Sequence, residues 1–507
     1  MDKRPSKCPI LIISGASGFI GKYLIEALQE NYYIYAFARR SQRSAGLAIH
    51  KNTQWLRLDL SNIRDTKKAI KNILDAGGAD YVFHLAGYYD FEYKDKPQYY
   101  KSNVVGTKNI LESCKLLEIK RFIYSSSQAI LDFSDPDRIL DENSVGDADY
   151  PYARSKCKGE ELVKEYSKYF PCSIVRLSAI FSDWCEYLPL YHLLTTWLSK
   201  RWDKHFIVGQ GHTSIQYLHI NDLIKLFQLI MEKSEKLPPI HTLNANPETN
   251  VSHNELFNIA YNFSYFHNIK AVHIPKIIAR MGIIFRQIKG KIFRSIPFER
   301  LWMLLYIDKR LKVDASHTQK LLDWKPTKRY DISRRLLFLI DKMKNNPYEW
   351  HFRNKRRLFL SPRESEYLKI YETILEVKES IVKRINKEMM EDINSEKFVN
   401  YQRISEESRI HCIEYIFRML EIDVRTGDRS RIIEFAQHLA EHRYLDDFPV
   451  QEVMNAMKLT TNEILLTLQS KRDLKNMRER INDEIAITLQ MVMDEIVDTY
   501  QHLSQEN

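Results

Sequence analysis

Short apolar runs alternate with amphipathic segments along the first part of this chain. Apolar runs of strand length occupy residues 9–14, 32–38, 55–59, 81–85 and 121–125. Helical patterns lie between them, over residues 21–30, before residue 76 and over residues 103–115. Parallel strands need such crossovers, and helices then cover both faces of the sheet. We therefore predict an α/β fold with a doubly wound parallel sheet.

The pattern changes after residue 350, where the last 157 residues contain one glycine and two prolines. Helical periodicity predicts helices near residues 363–391, 405–420, 429–443, 449–468 and 474–502. A chain of 507 residues is long enough for several domains. We predict an α/β domain over 1–350, with a larger part at 8–175 and a small subdomain at 176–345. An all-α bundle follows over 351–507.

Charge divides the chain in the same way. The net charge is +10, but residues 351–507 carry 24 basic and 29 acidic side chains, which leaves +15 on residues 1–350. A basic excess on this domain can attract a phosphorylated cofactor or an anionic substrate. The basic residues are dispersed, and no helix-turn-helix, finger or RNA-binding signature accompanies them, so we predict no nucleic-acid partner.

Cysteine spacing and hydropathy indicate the compartment. The six cysteines form no C-x-x-C pair and no disulfide-type framework, and we find no signal peptide and no segment of transmembrane length. A reducing, cytoplasmic location is predicted. The apolar and cationic segment at 274–294 leaves two interpretations open, which are peripheral contact with a membrane and a helix that packs on the core; the shortness of its apolar run favours the core helix.

A glycine-rich turn joins the first predicted strand to the first helix. Its candidate cofactor-binding residues are Gly15, Ser17, Gly18, Phe19, Ile20 and Gly21. In a β-α-β unit the first glycine permits a tight turn, the second lets backbone N–H groups approach a pyrophosphate, and the third allows close packing of helix on strand. The positive end of the helix dipole adds to anion binding. We therefore predict a Rossmann-like dinucleotide site, which makes residues 8–175 the cofactor part of an enzyme domain and residues 176–345 its small substrate-binding subdomain.

Arg39 and Arg40 end the second predicted strand, where an NAD enzyme ordinarily has a carboxylate for the ribose 2′-hydroxyl. A guanidinium is planar and binds phosphate in a bidentate manner. We therefore predict NADP as the cofactor in preference to NAD. The alternative is that both arginines lie on an exposed turn.

Ser127, Tyr152 and Lys156 are the predicted catalytic residues. Residues four apart share one face of a helix, so the Lys156 ammonium can lie beside the Tyr152 phenol and lower its pKa. Such a phenol can donate a proton to a ketone or accept one from an alcohol. Ser127 follows the end of a predicted strand, where the catalytic groups of parallel sheets gather. No metal is needed.

Ordered motifs over residues 8–345 resemble the extended short-chain dehydrogenase/reductase family, also called the NAD-dependent epimerase/dehydratase family. They are GASGFIG at 15–21, Asp59-Leu60, His84-Leu85-Ala86-Gly87, Asn103 to Thr107, Tyr124 to Ser127, Pro151 to Lys156, His219 to Asp222 and Leu321 to Pro326. The resemblance implies that Ser127 orients the substrate oxygen, Tyr152 is the acid/base, and Lys156 lowers its pKa and binds the nicotinamide ribose. It adds Asp59, Leu60, Leu85, Ala86, Gly87 and Asn103 to the cofactor site.

Departures from the family's motifs narrow the reaction. Ser127-Gln128-Ala129 replaces the Thr-Asp-Glu of the dehydratases, which disfavours dehydration. The arginine that clamps a nucleotide-sugar diphosphate is absent before Tyr217, and 176–182 lacks the Tyr-Gly ending of many sugar-nucleotide enzymes. This leaves an apolar pocket wall that can include Trp184 and Tyr187. We predict an NADP-dependent oxidoreductase that acts on a less polar carbonyl or secondary alcohol. The alternative within the family is a nucleotide-sugar epimerase.

The carboxyl-terminal part has no catalytic signature. His438, Glu441 and His442 match the H-x-x-E-H pattern, but no third ligand is evident and we predict no zinc site. Residues 365–503 are loosely similar to the helical sensor domains of Rsb-type stress-signalling co-antagonists, which implies a regulatory module with a signalling partner. A dimerisation bundle is the other interpretation, and we predict a homodimer. A function of a different class is an adaptor that senses NADP(H) and signals through the bundle.

Overall fold

The structure is a computed structural model that describes residues 8–135, 138–199, 201–265, 270–292, 298–355, 362–426 and 429–506. The chain divides into two compact units, residues 1–358 and residues 359–507. Each unit is described by itself below.

A seven-stranded sheet is the centre of the first unit. The strands of this unit, in chain order, are β1 (Ile10–Ser14), β2 (Tyr33–Ala38), β3 (Thr53–Arg57), β4 (Tyr81–His84), β5 (Arg121–Ser127), β6 (Cys172–Leu177), β7 (Ala179–Phe181), β8 (Phe206–Val208), β9 (Ser214–Ile215), β10 (Tyr217–His219), β11 (Ile240–Ala245), β12 (Val251–Ser252), β13 (Val272–Ile274) and β14 (Arg310–Leu311). The large sheet has the order β11-β6-β5-β4-β1-β2-β3, and every neighbouring pair is parallel. The predicted Rossmann-like doubly wound sheet is confirmed.

The strand order reverses beside β1, which has β2 on one side and β4 on the other. Open parallel sheets bind ligands at such a switch point, outside the carboxyl ends of the strands. The glycine turn after β1 and the polar residues after β4 and β5 therefore meet at one edge. Short strands, from β7 onward except β11, form three small sheets in the part of the unit that follows β6.

Helices cover both faces of the large sheet. Those of the first unit are α1 (Phe19–Leu28), α2 (Gln42–Ala45), α3 (Ile63–Asp75), α4 (Gly106–Cys114), α5 (Pro151–Tyr166), α6 (Leu188–Trp197), α7 (Ile220–Glu232), α8 (His253–Tyr265), α9 (Lys276–Ile292), α10 (Ser316–Leu322), α11 (Ile332–Asn345) and α12 (Pro347–Lys355). Alternate β1 residues belong to different cores: Leu11 and Ile13 pack with α1 and α7, whereas Ile10 and Ile12 pack on the opposite face. Burial on both faces explains the continuous apolar runs.

Local signals in the sequence account for several helix ends. The Asn62 side chain accepts hydrogen bonds from the Arg64 and Asp65 amides and so caps α3. Pro151 begins α5, where its missing N–H costs nothing. The helix predicted from residue 103 instead starts with a π-helical turn at Tyr99–Val105 that continues into α4.

The second unit is all-helical. Its helices are α13 (Pro362–Met389), α14 (Val399–Arg403), α15 (Glu406–Thr426), α16 (Ser430–Leu445), α17 (Val450–Ser470), α18 (Arg478–Ile481) and α19 (Ile487–Glu506). The helical carboxyl-terminal region is thus confirmed, although the last predicted helix is broken by a π-helical turn at Asn482–Ala486. Buried Glu452 accepts hydrogen bonds from the Asn400 and Tyr401 amides at the start of α14, so a distant carboxylate caps that helix.

Two further observations concern ions and membranes. His438 and Glu441 form an exposed pair with 3.4 Å between Nδ1 and Oε2. Across the described ranges no three histidine, cysteine or acidic side chains are grouped to hold a metal ion. In those same stretches of the chain, no helix combines the length and apolar character needed to span a bilayer.

Candidate active site

The glycine turn after β1 has the backbone that the sequence predicts. Gly15 has φ +74°, and a Cβ there would lie 2.7 Å from the Ala86 nitrogen, so only glycine fits. A Cβ on Gly21 would lie 2.4 Å from the Gly15 oxygen, because α1 packs closely against the turn. At Gly18 the one atom in close range is the Gly15 oxygen, at 3.1 Å. The turn is therefore closely packed at Gly15 and Gly21 and open at Gly18. This arrangement fits a dinucleotide pyrophosphate at the start of α1, beside Ser17, Phe19 and Ile20.

The two arginines after β2 have different environments. An Arg40 guanidinium nitrogen donates to the Ser17 carbonyl over 2.7 Å, so Arg40 supports the glycine turn. Arg39 is exposed and its positive charge reaches Asp59. Burial acts to raise the pKa of Asp59, but hydrogen bonds from Ser61 and the charges of Arg39 and Lys101 lower it below its usual range. Arg39 is the one of the two that is available to an external phosphate.

Ser127, Tyr152 and Lys156 lie at the same edge of the sheet. Ser127 ends β5, and Tyr152 and Lys156 are on the first turns of α5. The Ser127 hydroxyl lies close enough to Tyr152 to lower the pKa of its phenol by hydrogen bonding. The Lys156 ammonium donates to the Ser125 carbonyl and lies 4.5 Å from the centroid of the Tyr124 ring. The structure thus brings the three predicted catalytic residues to the carboxyl end of β5.

The pKa values differ from the simple expectation. Burial raises the pKa of Tyr152 to about 12, and the interaction with Ser127 opposes this shift. Burial lowers the pKa of Lys156 to about 8, with Glu160 acting in the opposite direction. The predicted fall in the Tyr152 pKa from Lys156 is not what the structure shows, because the ammonium is directed to Ser125 and desolvation of the phenol dominates. At neutral pH Tyr152 is therefore protonated.

Asn103 joins the strand-end segment to the helix that carries Tyr152. Its side-chain oxygen accepts from the Tyr88 amide over 2.6 Å, and its nitrogen donates to the Tyr88 carbonyl and the Ser155 hydroxyl, each over 2.9 Å. Ser155 in turn donates to the Tyr152 carbonyl over 2.7 Å. The amide of Asn103 is fully used within the protein, so this residue positions the site in the structure.

A buried chain of hydrogen-bonded side chains holds the glycine turn against β4. Ser14 and His84 are joined by a 2.7 Å hydrogen bond, and the other His84 nitrogen lies 2.9 Å from the Thr107 hydroxyl. Burial, with a smaller effect from Lys156, lowers the pKa of His84 to about 3, so the imidazole is neutral. The Leu85 and Ala86 amides bond to Ser14, at its carbonyl and hydroxyl respectively.

The remaining predicted cofactor residues line the same edge. A Cβ on Gly87 would lie 3.5 Å from the Asn103 side-chain oxygen and 3.9 Å from the Lys156 ammonium, so Gly87 faces the catalytic lysine. Leu60 follows Asp59, and its carbonyl accepts a 2.8 Å hydrogen bond from Asn109. Both residues lie just beyond β3, where the family resemblance implies part of the cofactor site.

An aromatic segment after Gly87 is the main feature that the sequence analysis missed. The Tyr89 ring lies 4.5 Å from the Tyr152 ring, and Phe91 lies 4.7 Å from Tyr89. Further out, Tyr93 stacks between Tyr150 and Trp302, with centroids 4.3 and 4.1 Å apart. The signal was present, since four aromatic residues occupy positions 88–93 directly after a strand end. They form an aromatic wall of tilted and edge-to-face rings beside the phenol.

Buried Asp90 holds this segment in place. Its carboxylate accepts from the Tyr88 and Tyr99 hydroxyls over 2.7 and 2.9 Å, and the Lys96 ammonium lies 2.9 Å away. Burial acts to raise the pKa of Asp90, but these hydrogen bonds lower it below its usual range. A charged group with this many partners is stable in a buried position. The rings on either side of it are therefore fixed.

Trp184 and Tyr187, the two residues predicted for the pocket wall, have different surroundings. The Trp184 ring packs against the Lys342 ammonium and the Arg353 guanidinium, at 5.0 and 4.7 Å, and so serves the fold there. Tyr187 lies near Tyr89 and its ring is 5.8 Å from that of Tyr217. Gln216, at the position before Tyr217, is buried with its amide nitrogen bonded to the Pro247 and Val313 carbonyls. It has no free hydrogen-bonding group for a diphosphate.

The sheet order and the glycine turn define a protein of the Rossmann-like, dinucleotide-binding class. Residues 11–245 match the model of the NAD dependent epimerase/dehydratase family. The family resemblance carried by the sequence motifs is therefore confirmed. The match ends before the helical unit and does not bear on its resemblance to sensor domains.

The relatives include more than one reaction type. The chain is 28% identical over 247 residues to a dTDP-D-glucose 4,6-dehydratase of Dictyostelium discoideum, which covers 44% of this chain and 56% of the relative. It is 31% identical over 162 residues to dihydroflavonol 4-reductase of Solanum lycopersicum, which covers 30% of this chain and 41% of the relative. Vestitone reductase of Medicago sativa is 27% identical over 248 residues, with 44% and 72% covered. The chain thus spans about half the length of the first of these.

Solved structures share the fold. A UDP-glucuronic acid 4-epimerase from Bacillus cereus, in complex with UDP-glucuronic acid and NAD, aligns with a TM-score of 0.50 at 20% identity over 66% of this chain and 99% of its own. A UDP-glucose 4-epimerase from Thermotoga maritima aligns with a TM-score of 0.51 at 16% identity over 67% and 99%. At these identities the likeness concerns the fold of the first unit.

Proposed function

We propose that this protein is an NADP-dependent oxidoreductase that reduces a carbonyl group, or oxidises a secondary alcohol, through Ser127, Tyr152 and Lys156. The observation that carries the proposal is the position of the Tyr152 phenol. It lies beside Ser127 at the carboxyl end of β5, one helical turn from Lys156, and its ring is 4.5 Å from that of Tyr89. When bound, the nicotinamide supplies or accepts the hydride.

The protonated phenol suits the direction of reduction. With its pKa raised to about 12, Tyr152 holds its proton at neutral pH and can give it to a carbonyl oxygen that becomes basic as hydride arrives. Ser127 can orient that oxygen by hydrogen bonding. Lys156 is mainly charged at pH 7, because its pKa is about 8, and its ammonium is held by the Ser125 carbonyl one helical turn from Tyr152.

The cofactor preference rests on Arg39. Its guanidinium is exposed at the end of β2, where a ribose 2′-phosphate would lie, while Arg40 is bonded to the Ser17 carbonyl. A carboxylate that would favour NAD is absent at positions 39 and 40. We therefore propose NADP, although the Bacillus cereus structure named above contains NAD.

The aromatic wall supports a less polar substrate. Tyr89 and Phe91 offer ring surfaces next to the phenol, and Gln216 is occupied where a diphosphate clamp would be expected. A nucleotide-sugar epimerase remains the alternative within the family. An NADP(H)-sensing adaptor receives no support from the match, which ends at residue 245.

The test is NADPH consumption at pH 7 with a panel of aromatic ketones and aldehydes, run beside the interconversion of UDP-sugars. We expect turnover of carbonyl compounds, and a loss of about 10²- to 10⁴-fold in kcat for Tyr152→Phe, because general acid catalysis contributes this much. Tyr169→Phe is the matched control, since Tyr169 is half exposed just beyond the end of α5.

Three outcomes decide the matter. Full activity in Tyr152→Phe would refute the catalytic assignment. Interconversion of a UDP-sugar without net NADPH consumption would establish the epimerase instead. NADPH binding by the wild type with no turnover of any compound in either assay would favour the adaptor.

A further inference from the structure

Helix α9 has an apolar face that the fold leaves exposed. Ile277, Met281 and Phe285 are 71%, 68% and 69% exposed, and Ile278, Ile284 and Ile288 are 53%, 39% and 55% exposed. At 100° per residue these six side chains fall within an arc of about 120°. They form one continuous stripe, about 17 Å long at 1.5 Å per residue. We call this stripe the α9 face.

The helix is attached to the protein through its other side. Ala279 and Ile283 are buried, at 7% and 9% exposure, and they point away from the α9 face by the same helical geometry. Arg286 is bonded to Asp203 and Glu299 and anchors the helix further. Helix α9 is therefore packed against the protein on one side, and its second apolar face is exposed to solvent. Single exposed apolar residues are ordinary, but a contiguous stripe marks a contact surface.

Charge indicates what covers this face. The 17 residues of α9 include five lysines and arginines and no aspartate or glutamate. Arg280 is exposed and lies about 40° from one edge of the α9 face, and Lys276, whose ammonium donates to the Ile307 carbonyl over 3.0 Å, is exposed on the same side of the helix. An apolar stripe bordered by cations is the pattern of a helix that lies in the headgroup region of an anionic membrane. A second copy of the chain on this face would bring together two helices of net positive charge, which is unfavourable.

We propose that the α9 face binds to an anionic lipid surface, with Ile277, Met281 and Phe285 inserted at the boundary between headgroups and acyl chains. This contact is peripheral, since a stripe of this length on one face of the helix lies along the surface. Of the two interpretations that the sequence left open for this segment, the exposure of the α9 face favours membrane contact.

The proposal is tested by flotation of the full-length protein with vesicles of phosphatidylcholine alone and of phosphatidylcholine with 30% phosphatidylglycerol. We expect binding to the anionic vesicles, at least tenfold weaker binding to the neutral ones, and a severalfold loss in 0.5 M NaCl, because salt screens the cations. Met281→Glu with Phe285→Glu should lower the vesicle-bound fraction at least tenfold. Ile139→Glu is the control, because Ile139 is 81% exposed elsewhere on the first unit.

A second variant tests the charges separately. Lys276→Ala with Arg280→Ala keeps the apolar stripe and should lose the preference for anionic vesicles. The proposal is overturned if the wild type stays unbound with both vesicles, if it binds both equally, or if the Met281/Phe285 variant floats as the wild type does. It is likewise overturned if that variant converts a dimer to a monomer in the absence of lipid, since the face would then join two copies.

Discussion

Two glycines within helices should respond in opposite ways to the same substitution. Gly159 lies on α5, the helix of Tyr152 and Lys156, and Gly282 lies on α9. A Cβ on Gly159 would lie 2.0 Å from the Tyr124 hydroxyl oxygen and 2.8 Å from its ring carbon, whereas a Cβ on Gly282 would meet no heavy atom within 4 Å. Alanine is favoured over glycine in a helix by about 1 kcal/mol at either position.

The magnitude follows from what Tyr124 can do. Ordinary contact begins at 3.4 Å, so the hydroxyl has to move by about 1.4 Å. The ring is fully buried, it is stacked on His84 with centroids 5.8 Å apart, and the Lys156 ammonium lies over it. Overpacking of this kind costs about 1–3 kcal/mol. Gly159→Ala should therefore lower the free energy of unfolding relative to Gly282→Ala by about 1–3 kcal/mol, because the propensity gain cancels between them.

The assay is urea unfolding of the full-length chain, monitored by hydrogen–deuterium exchange. Peptides from residues 11–245 report on the first unit independently of the second. Gly282→Ala should be neutral or more stable than the wild type, and Gly159→Ala less stable. Gly159→Ala should also weaken NADPH binding, since it displaces the ring beneath Lys156. Equal shifts of the same sign in the two variants would refute the packing argument.

Three other predictions concern charge. Arg39→Asp should raise the Kd for NADPH at least tenfold and leave that for NADH unchanged or lower, by fluorescence titration. Lys51→Asp, which makes the same change of charge at an exposed position, is the control. Equal changes for both cofactors would remove Arg39 from the 2′-phosphate site. NADPH affinity should fall as pH rises through about 8, where Lys156 loses its proton, and Lys156→Arg should abolish that slope; a slope retained in the variant contradicts this assignment. The free energy of unfolding should fall as the pH drops from about 6.5 towards about 3, because His84 is held neutral in the folded state but binds a proton in the unfolded state. This loss should be smaller in His84→Gln. An unchanged pH profile in that variant would show that His84 does not cause the loss.

Much of the first unit was predictable because its rules are local or periodic. The strands at β1, β2, β4 and β5 follow from apolar runs of strand length, and their parallel pairing follows from the helices between them. The need for glycine at position 15 also follows from sequence, since a strand-to-helix turn requires a positive φ there. The helical carboxyl-terminal region is confirmed for a similar reason, because glycine and proline are nearly absent from it.

The site was predictable as a set of residues but less so in its electrostatics. The motifs placed Ser127, Tyr152 and Lys156 near one strand end, and the structure brings the three residues there, while their catalytic role stays a prediction. Their spacing contains no information about burial, and it is burial that raises the pKa of Tyr152. The Lys156 ammonium bonds to the Ser125 carbonyl, which is 31 residues away in sequence. An i, i+4 argument considers one helix and does not include such a partner.

The sheet, the glycine turn and the helical carboxyl-terminal unit could be read from the amino-acid sequence, because each depends on local sterics or on the period of apolar positions, and the candidate catalytic residues could be read from their motifs. Three features are visible only in the folded protein: the Asn103 amide bonds to Tyr88 and Ser155, the Tyr89 ring lies beside Tyr152, and α9 keeps an apolar face in solvent. These features depend on which surfaces meet when distant segments pack, and the pattern along one segment does not specify its neighbours.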